Sequence, residues 1–294
     1  MRYATILFLS MVPCVSVSAI SIVYNFRIAQ VTKQPIVESA DDRHYSIVGL
    51  LFDQFQKKYD GVRQNFVGGL AAFIYNFEPY YFRTDFSVSH IKEITEHVTT
   101  FSATETDDLL FTLGRNFKLN DKSVMTLSGL FGVPTHEIFT LQHVAFGYGQ
   151  VGLGIQLDGS YVLCDTHTLL YGVRYIYYVP RKAADDSGNK YTFTIGNLAD
   201  GLIAYKYNWL SHGIECGYTA RSDFGAHISP NLDDTIEKTN YIRNNFYFIY
   251  KYRFMIDEVA NRLLFNISYG FDSKPKVYGN QYVVTLWASW NVRF

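Results

Sequence analysis

The chain carries almost no net charge. Its 294 residues hold 26 Lys and Arg against 27 Asp and Glu, a formal −1 at pH 7. No global field therefore argues for nucleic acid or an acidic ligand. Cysteine is scarce, with Cys14, Cys164 and Cys216 as the whole set, too few for a disulfide framework. Beyond the N-terminus no segment reaches 18 consecutive apolar residues, which excludes a transmembrane helix. These absences leave one route across a membrane open. The strands of a barrel need only about 9–11 residues each and carry a weak hydropathy signal, compatible with a mean hydropathy of −0.03.

Aromatics, by contrast, are plentiful. They make up 17% of the chain, with 24 Tyr and 23 Phe but only 3 Trp. Rings of this kind suit membrane interfaces, where an amphipathic side chain sits between oil and water. The opening residues, MRYATILFLSMVPCVSVSAIS, combine Arg2, a short apolar core from Ala4 to Cys14, and the small residues Val17-Ser18-Ala19. This is the pattern of a secretory signal peptide over residues 1–19. Pro13 argues against a lipoprotein reading of Cys14. After cleavage only Cys164 and Cys216 remain, the first in a tight turn and the second on the outside of a strand. Both are expected to stay free.

Strict alternation of apolar and polar residues marks strands, and it recurs along the chain. At the end, Tyr282, Val284, Leu286, Ala288, Trp290, Val292 and Phe294 share a face. Leu263, Phe265, Ile267, Tyr269 and Phe271 do so before them, and Phe246, Phe248, Tyr250, Tyr252 and Phe254 earlier still. Tyr171, Val173, Tyr175 and Tyr177, then Val151, Leu153, Ile155 and Leu157, and finally Tyr80, Phe82, Phe86 and Val88 repeat the pattern. The opposite faces mix charge, amide and glycine. A wide, ring-edged apolar face against a polar one is the apolar-out, polar-in alternation of a membrane barrel.

The connections alternate too. Turns are expected at Asn76–Pro79, Leu119–Lys122, Cys164–His167, Asn208–Ser211 and Ile256–Asn261. Loops are expected at Lys57–Arg63, His90–Asp107, Val133–Phe146, Pro180–Lys190, Ser222–Thr239 and Ser273–Asn280. Barrels of this type pair short periplasmic turns with longer outer loops. The layout gives an all-β antiparallel barrel of about twelve strands over residues 44–294. Residues 20–43 are a tail, a plug or extra strand, so fourteen strands is the second count. The stretch IVGLLFDQFQKKYDG fits a first strand, although Ile47, Leu50, Leu51 and Phe55 also fit a helical face.

With these features the chain resembles the bacterial outer-membrane β-barrel class, porin-like but of no specific family. That class ends in an aromatic residue preceded by alternating apolar positions. The resemblance implies that Tyr282, Trp290, Val292 and Phe294 form an assembly signal read by the insertion machinery. It also implies an outer-membrane location and contact with outer-membrane lipid.

Several motifs have blander readings. Gly147-Tyr148-Gly149-Gln150-Val151-Gly152 spells G-x-G-x-x-G, but a strand follows where a dinucleotide site needs a helix. The glycines are read as relief of crowding. His90, Glu93 and His97 share a helical face in an expected outer loop, and no metal is assigned to them. His227-Ile228-Ser229 and His44-Tyr45-Ser46 resemble the His-x-Ser set of outer-membrane phospholipases, without a third member to orient the base. Asp185-Asp186 and Asp233-Asp234, reminiscent of outer-membrane aspartyl proteases, are read as solvated loop charges. Arg115 is the misfit: parity turns it toward lipid near the periplasmic end.

Inward residues carry the functional expectation. Parity turns Arg83, Asp85, Gln156, Asp158, Arg174, Lys206, Glu215, Arg243, Lys251, Arg253 and Arg293 toward the lumen, with bases outnumbering acids. Arg83 and Asp85 are neighbours on one face and placed to pair. Twelve strands about 4.8 Å apart and tilted about 40° give a backbone radius of roughly 12 Å. The expectation is a porin-like passive channel for ions or small polar or anionic solutes, modestly anion-preferring, without cofactor or catalysis. The alternatives are a closed barrel acting as scaffold or adhesin through its loops, and a phospholipase- or protease-like barrel enzyme.

Overall fold

A computed structural model describes residues 43–58, 63–95, 98–106, 109–135, 150–184, 190–194, 197–224, 227–229, 241–257, 259–272 and 280–293. The expected signal peptide, residues 20–42 and Phe294 lie outside them. So do His97, Asp185, Asp186, Asp233 and Asp234. Arg43, grouped above with the tail, opens the first strand.

The described residues form strands and turns. In chain order these are β1 (Arg43–Lys58), β2 (Arg63–Phe77), β3 (Tyr80–Thr95), β4 (Val98–Thr106), β5 (Leu109–Asn120), β6 (Ser123–Val133), β7 (Gly152–Cys164) and β8 (His167–Tyr178). Then follow β9 (Arg181–Ala184), β10 (Lys190–Thr194), β11 (Asn197–Trp209), β12 (His212–Phe224), β13 (His227–Ser229), β14 (Tyr241–Ile256), β15 (Val259–Asp272) and β16 (Asn280–Arg293).

The main sheet closes on itself. Each strand pairs antiparallel with its neighbours, β1 pairs with both β2 and β16, and β2 also pairs with β3. Closure matters because an open edge in lipid would leave unpaired N–H and C=O groups. β5 pairs with the first part of β3 and β4 with the last part, so those two segments share one position in the wall. The thirteen strands of the sheet therefore make twelve wall positions.

Four two-residue turns lie at one end, Glu78-Pro79, Asp121-Lys122, Asp165-Thr166 and Leu210-Ser211, and Asp257 turns the chain at the same end between β14 and β15. All fall inside the turns expected from sequence. Leu210 and Asp257 have φ of 49° and 46°, the left-handed backbone that tight hairpin turns demand. At the other end, two expected loops contain more structure than anticipated. Within the expected loop His90–Asp107, β3 runs to Thr95 and β4 covers Val98–Thr106, paired antiparallel with it. His227–Ser229 is strand β13, which joins β10 and β9 in a separate three-stranded sheet. Polar strands without an apolar face carry no alternation signal, so these extensions were invisible to a pattern search.

Burial follows parity. Tyr171, Val173, Tyr175 and Tyr177 on β8 are exposed, while Gly172, Arg174, Ile176 and Tyr178 between them are buried. Leu153, Ile155, Ile203, Phe246, Phe248, Phe265, Ile267, Tyr269 and Leu286 likewise lie on the outer wall. Rings edge this wall. Near the short turns, His167, Tyr207, Trp209, His212, Tyr252 and Phe254 form a chain of ring contacts across β8, β11, β12 and β14, with centroids 4.8–5.7 Å apart. Toward the other end, Tyr218, Phe246 and Phe271 make a second series, and Tyr269 and Tyr282 meet at 6.4 Å. An apolar band between two aromatic girdles is the outer surface of a membrane barrel.

Candidate functional site: the charged lumen wall

The inner face is where polar side chains converge. Arg83, Asp85, Gln156, Asp158, Arg174, Glu215 and Lys251 are all buried in the inner wall. Lys206, Arg243 and Arg293 are half-buried. Arg253 is exposed, near the short-turn rim.

Buried ion pairs among the described residues organise the wall. Arg83 donates from Nε to both Asp85 oxygens, at 2.9 and 2.7 Å, two residues along one strand face. Arg174 on β8 donates to Oδ2 of Asp200 on β11, directly opposite it, with an Nε bond of 2.9 Å. Lys251 on β14 meets Glu215 Oε2 at 2.5 Å, and Tyr247 donates to Glu215 Oε1 at 2.9 Å. Burying an ion pair is costly unless the remaining lone pairs are also served, and Tyr247 serves one. Gln156 donates to Asp158 at 2.6 Å. Parity arguments had placed Arg174 in the wall without its partner. Asp200 and Arg221 escaped notice although each alternates with expected inward residues, Lys206 and Glu215. In the register, Gln156, Arg174, Asp200, Arg221 and Arg243 stand opposite one another in turn across β7, β8, β11, β12 and β14.

A second group lies near the short turns. Lys206 stands opposite Glu215, and Arg253 stands opposite Arg262. Arg262 is a further inward base that the pattern reading did not single out.

Glycine shapes the same wall. Gly114 faces Tyr81, and Gly217 faces Tyr247, across neighbouring strands. A Cβ on either would come within 2.0 and 2.3 Å of the opposing ring. The ring lies flat over the glycine, filling the gap that a missing side chain leaves. This orients the Tyr81 hydroxyl to Ser128 at 2.7 Å and the Tyr247 hydroxyl to Glu215. Gly152 and Gly154, at the end of the G-x-G-rich stretch, make room for Tyr178, Ile176 and Leu130. Those three, with Leu198 and Leu110, form an apolar cluster inside the wall.

Other expected groups resolve differently. His90 lies on β3 rather than on a helical face, with Nδ1 3.0 Å from the Thr104 hydroxyl and Nε2 3.1 Å from that of Ser102. His44–Ser46 lies in β1 near the short turns, and His227–Ser229 lies in the small sheet at the opposite end, so neither completes the other. Arg115 is exposed on the outer wall as parity required. Its guanidinium sits 5.0 Å from the Phe117 ring centroid and 5.5 Å from that of Tyr80, which offsets its position at the interface. Cys164 and Cys216 are free and exposed. In the terminal strand, Trp290 donates from Nε1 to Asn261 at 2.9 Å, Tyr282 and Val292 are half-buried, and Phe294 lies outside the described residues.

No family model matches the chain, and no curated protein matches it. Solved structures do. An outer membrane channel from Pseudomonas putida F1 superposes with a TM-score of 0.70 at 10% identity, covering 89% of this chain and 99% of that one. The NanC porin matches at 12% identity, 82% and 98% coverage and a TM-score of 0.43. A TodX monoaromatic hydrocarbon channel mutant matches at 11%, 95% and 96% coverage and 0.46. Closed ring, alternating wall, girdles and the first of these superpositions agree: the chain folds as an outer-membrane β-barrel.

Proposed function

We propose that the chain is a narrow passive channel of a bacterial outer membrane whose lumen modestly prefers anions. The short-turn end faces the periplasm. Its partners are outer-membrane lipid on the apolar band, the assembly machinery through the terminal strand, and small polar or anionic solutes in the lumen. No catalytic role is assigned to it. The observation that carries this reading is the inner wall. Among the described inward side chains, Arg83, Arg174, Lys206, Arg221, Arg243, Lys251, Arg253, Arg262 and Arg293 stand against Asp85, Asp158, Asp200 and Glu215. A basic wall in a low-dielectric cylinder focuses a positive potential and concentrates anions. The fold of an outer membrane channel supports the same reading.

A second reading has its own support. Leu198, Ile249 and Leu264 are 0% exposed, and Arg83 and Gln156 are 1% exposed, although all point inward. Such packing fits a barrel closed at those levels that works as a scaffold or adhesin through its outer loops. Planar-bilayer recording separates the two. Discrete steps of small conductance from the refolded chain are expected. A silent bilayer, with correctly folded protein shown by heat-modifiable gel migration, would favour the scaffold.

A further inference from the structure

Arg115 places a charge in a lipid-facing row. The outward side of β5 reads Phe111, Leu113, Arg115, Phe117 and Leu119. Across the register Arg115 stands opposite Tyr80 on β3 and Leu127 on β6. Leu113, Leu127 and Tyr80 are exposed around it. A charge on the lipid face costs more the deeper it lies, so an ionisable side chain there calls for a partner. The next residue fixes its depth. Asn116 N donates to Pro79 O at 2.7 Å, which sets Arg115 level with the β2–β3 turn, where the apolar wall meets polar chain. The side chain is also held in place. Its guanidinium lies over the Phe117 and Tyr80 rings, 5.0 and 5.5 Å from their centroids. Rings take the face of a guanidinium and leave its N–H edge for oxygen acceptors. Among the described residues no acid pairs with it. Glu78 accepts from Asn116 at 3.2 Å, and Asp121 meets Lys118 at 2.8 Å.

We propose that Arg115 and its two rings form a binding site for the phosphate of an anionic glycerophospholipid, whose acyl chains lie along Leu113 and Leu127. A guanidinium fork takes two phosphate oxygens at once, and the bound anion offsets the cost of a charge at the lipid face. The occupant is a lipid and not a free phosphate, because the site opens onto the exposed apolar band, where covering acyl chain adds favourable area. With the short turns in the periplasm, as proposed above, the lipid belongs to the periplasmic leaflet. The site rests on lipid contact with the outer wall and needs no open lumen.

The test is native mass spectrometry of the refolded full chain in detergent, titrated with phosphatidylglycerol, phosphatidylcholine or diacylglycerol of matched acyl chains. The parent should bind one phosphatidylglycerol saturably, phosphatidylcholine more weakly because its ammonium opposes Arg115, and diacylglycerol most weakly. Arg115→Gln should weaken phosphatidylglycerol binding roughly tenfold or more, the effect of losing a charge-assisted hydrogen-bond partner. Arg115→Lys keeps the charge, loses the fork and should fall between the two. Lys122→Gln removes the same charge from an exposed turn at the same end, away from the ring pair, and should bind as the parent does. Equal affinity of the parent for diacylglycerol and phosphatidylglycerol would overturn the site, as would equal losses in Arg115→Gln and Lys122→Gln. Where Arg115→Gln does not refold, an Arg115→Lys variant that binds like the parent would overturn it. Displacement of the lipid by millimolar sodium phosphate would do so too, since a free ion would then be the ligand. No current enters the measurement, so a silent bilayer beside selective lipid binding would overturn the channel and leave the site standing.

Discussion

Asp200 and Arg174 show how much a single wall residue carries. Their side chains are 2% and 1% exposed, and Oδ1 of Asp200 has no hydrogen-bond partner among the described residues. Removing one member leaves the other buried and uncompensated. Asp200→Asn should therefore destabilise the folded barrel by about 3–5 kcal/mol. The double change Arg174→Leu with Asp200→Leu should recover most of that loss. Urea titration in micelles measures both, and a mild single variant would contradict the pairing. The Tyr–Gly pairs make a sharper test. Gly217→Ala forces the Tyr247 ring away from its seat and from Glu215, whereas a Cβ at Gly201 meets nothing within 4 Å. Gly217→Ala should lower the unfolding midpoint clearly more than Gly201→Ala. Equal effects would mean that the ring does not depend on the glycine. Sequence parity found Arg174, Glu215 and Lys251 because each alternates with apolar neighbours. It found neither partner choice nor the Tyr–Gly seats, because those depend on register between strands, which alternation within one strand does not fix.

At the scale of the element, facing and turn chemistry decide stability. Val173 is 57% exposed and Gly172 is buried. Val173→Arg puts a charge against lipid at mid-depth, at a cost of about 2–4 kcal/mol. Gly172→Ser, on the polar inner face, should cost much less. Denaturant titration of the two variants would reveal a wrong facing if they behaved alike. The turn between β11 and β12 places Leu210 at a φ of 49°, a conformation that costs an L-residue about 1–2 kcal/mol. Its side chain is 94% exposed, so little packing compensates. Leu210→Gly should raise the unfolding midpoint, and a fall would contradict the strain. All five short turns were legible, since each interrupts a pair of alternating runs. The outer hairpin of β3 and β4 and the small sheet were not. Their residues, such as His90, Ser102 and Thr104, are polar on both faces, and the helical spacing of His90 and Glu93 imitated an amphipathic helix. The strand character of the hairpin comes from β3 pairing with β2 and β4, and that of the small sheet from β10 pairing with β9 and β13.

At the scale of the whole molecule, a closed twelve-position ring, an apolar girdled exterior and a basic interior combine in the proposed channel. The exterior was the more legible half, because lipid imposes one rule on every strand. The interior is heterogeneous: ion pairs, glycine seats and an apolar cluster around Leu130, Ile176, Tyr178 and Leu198 share one wall, and each obeys only its own neighbours. The most direct measurement is the reversal potential of the refolded chain across a salt gradient in a planar bilayer. The account predicts a potential of the sign set by anion movement, modest because Asp158 and the paired acids stand on the same wall. It should shrink at high salt, as the Debye length falls from about 30 Å at 0.01 M to about 3 Å at 1 M. A cation-selective potential would contradict the account.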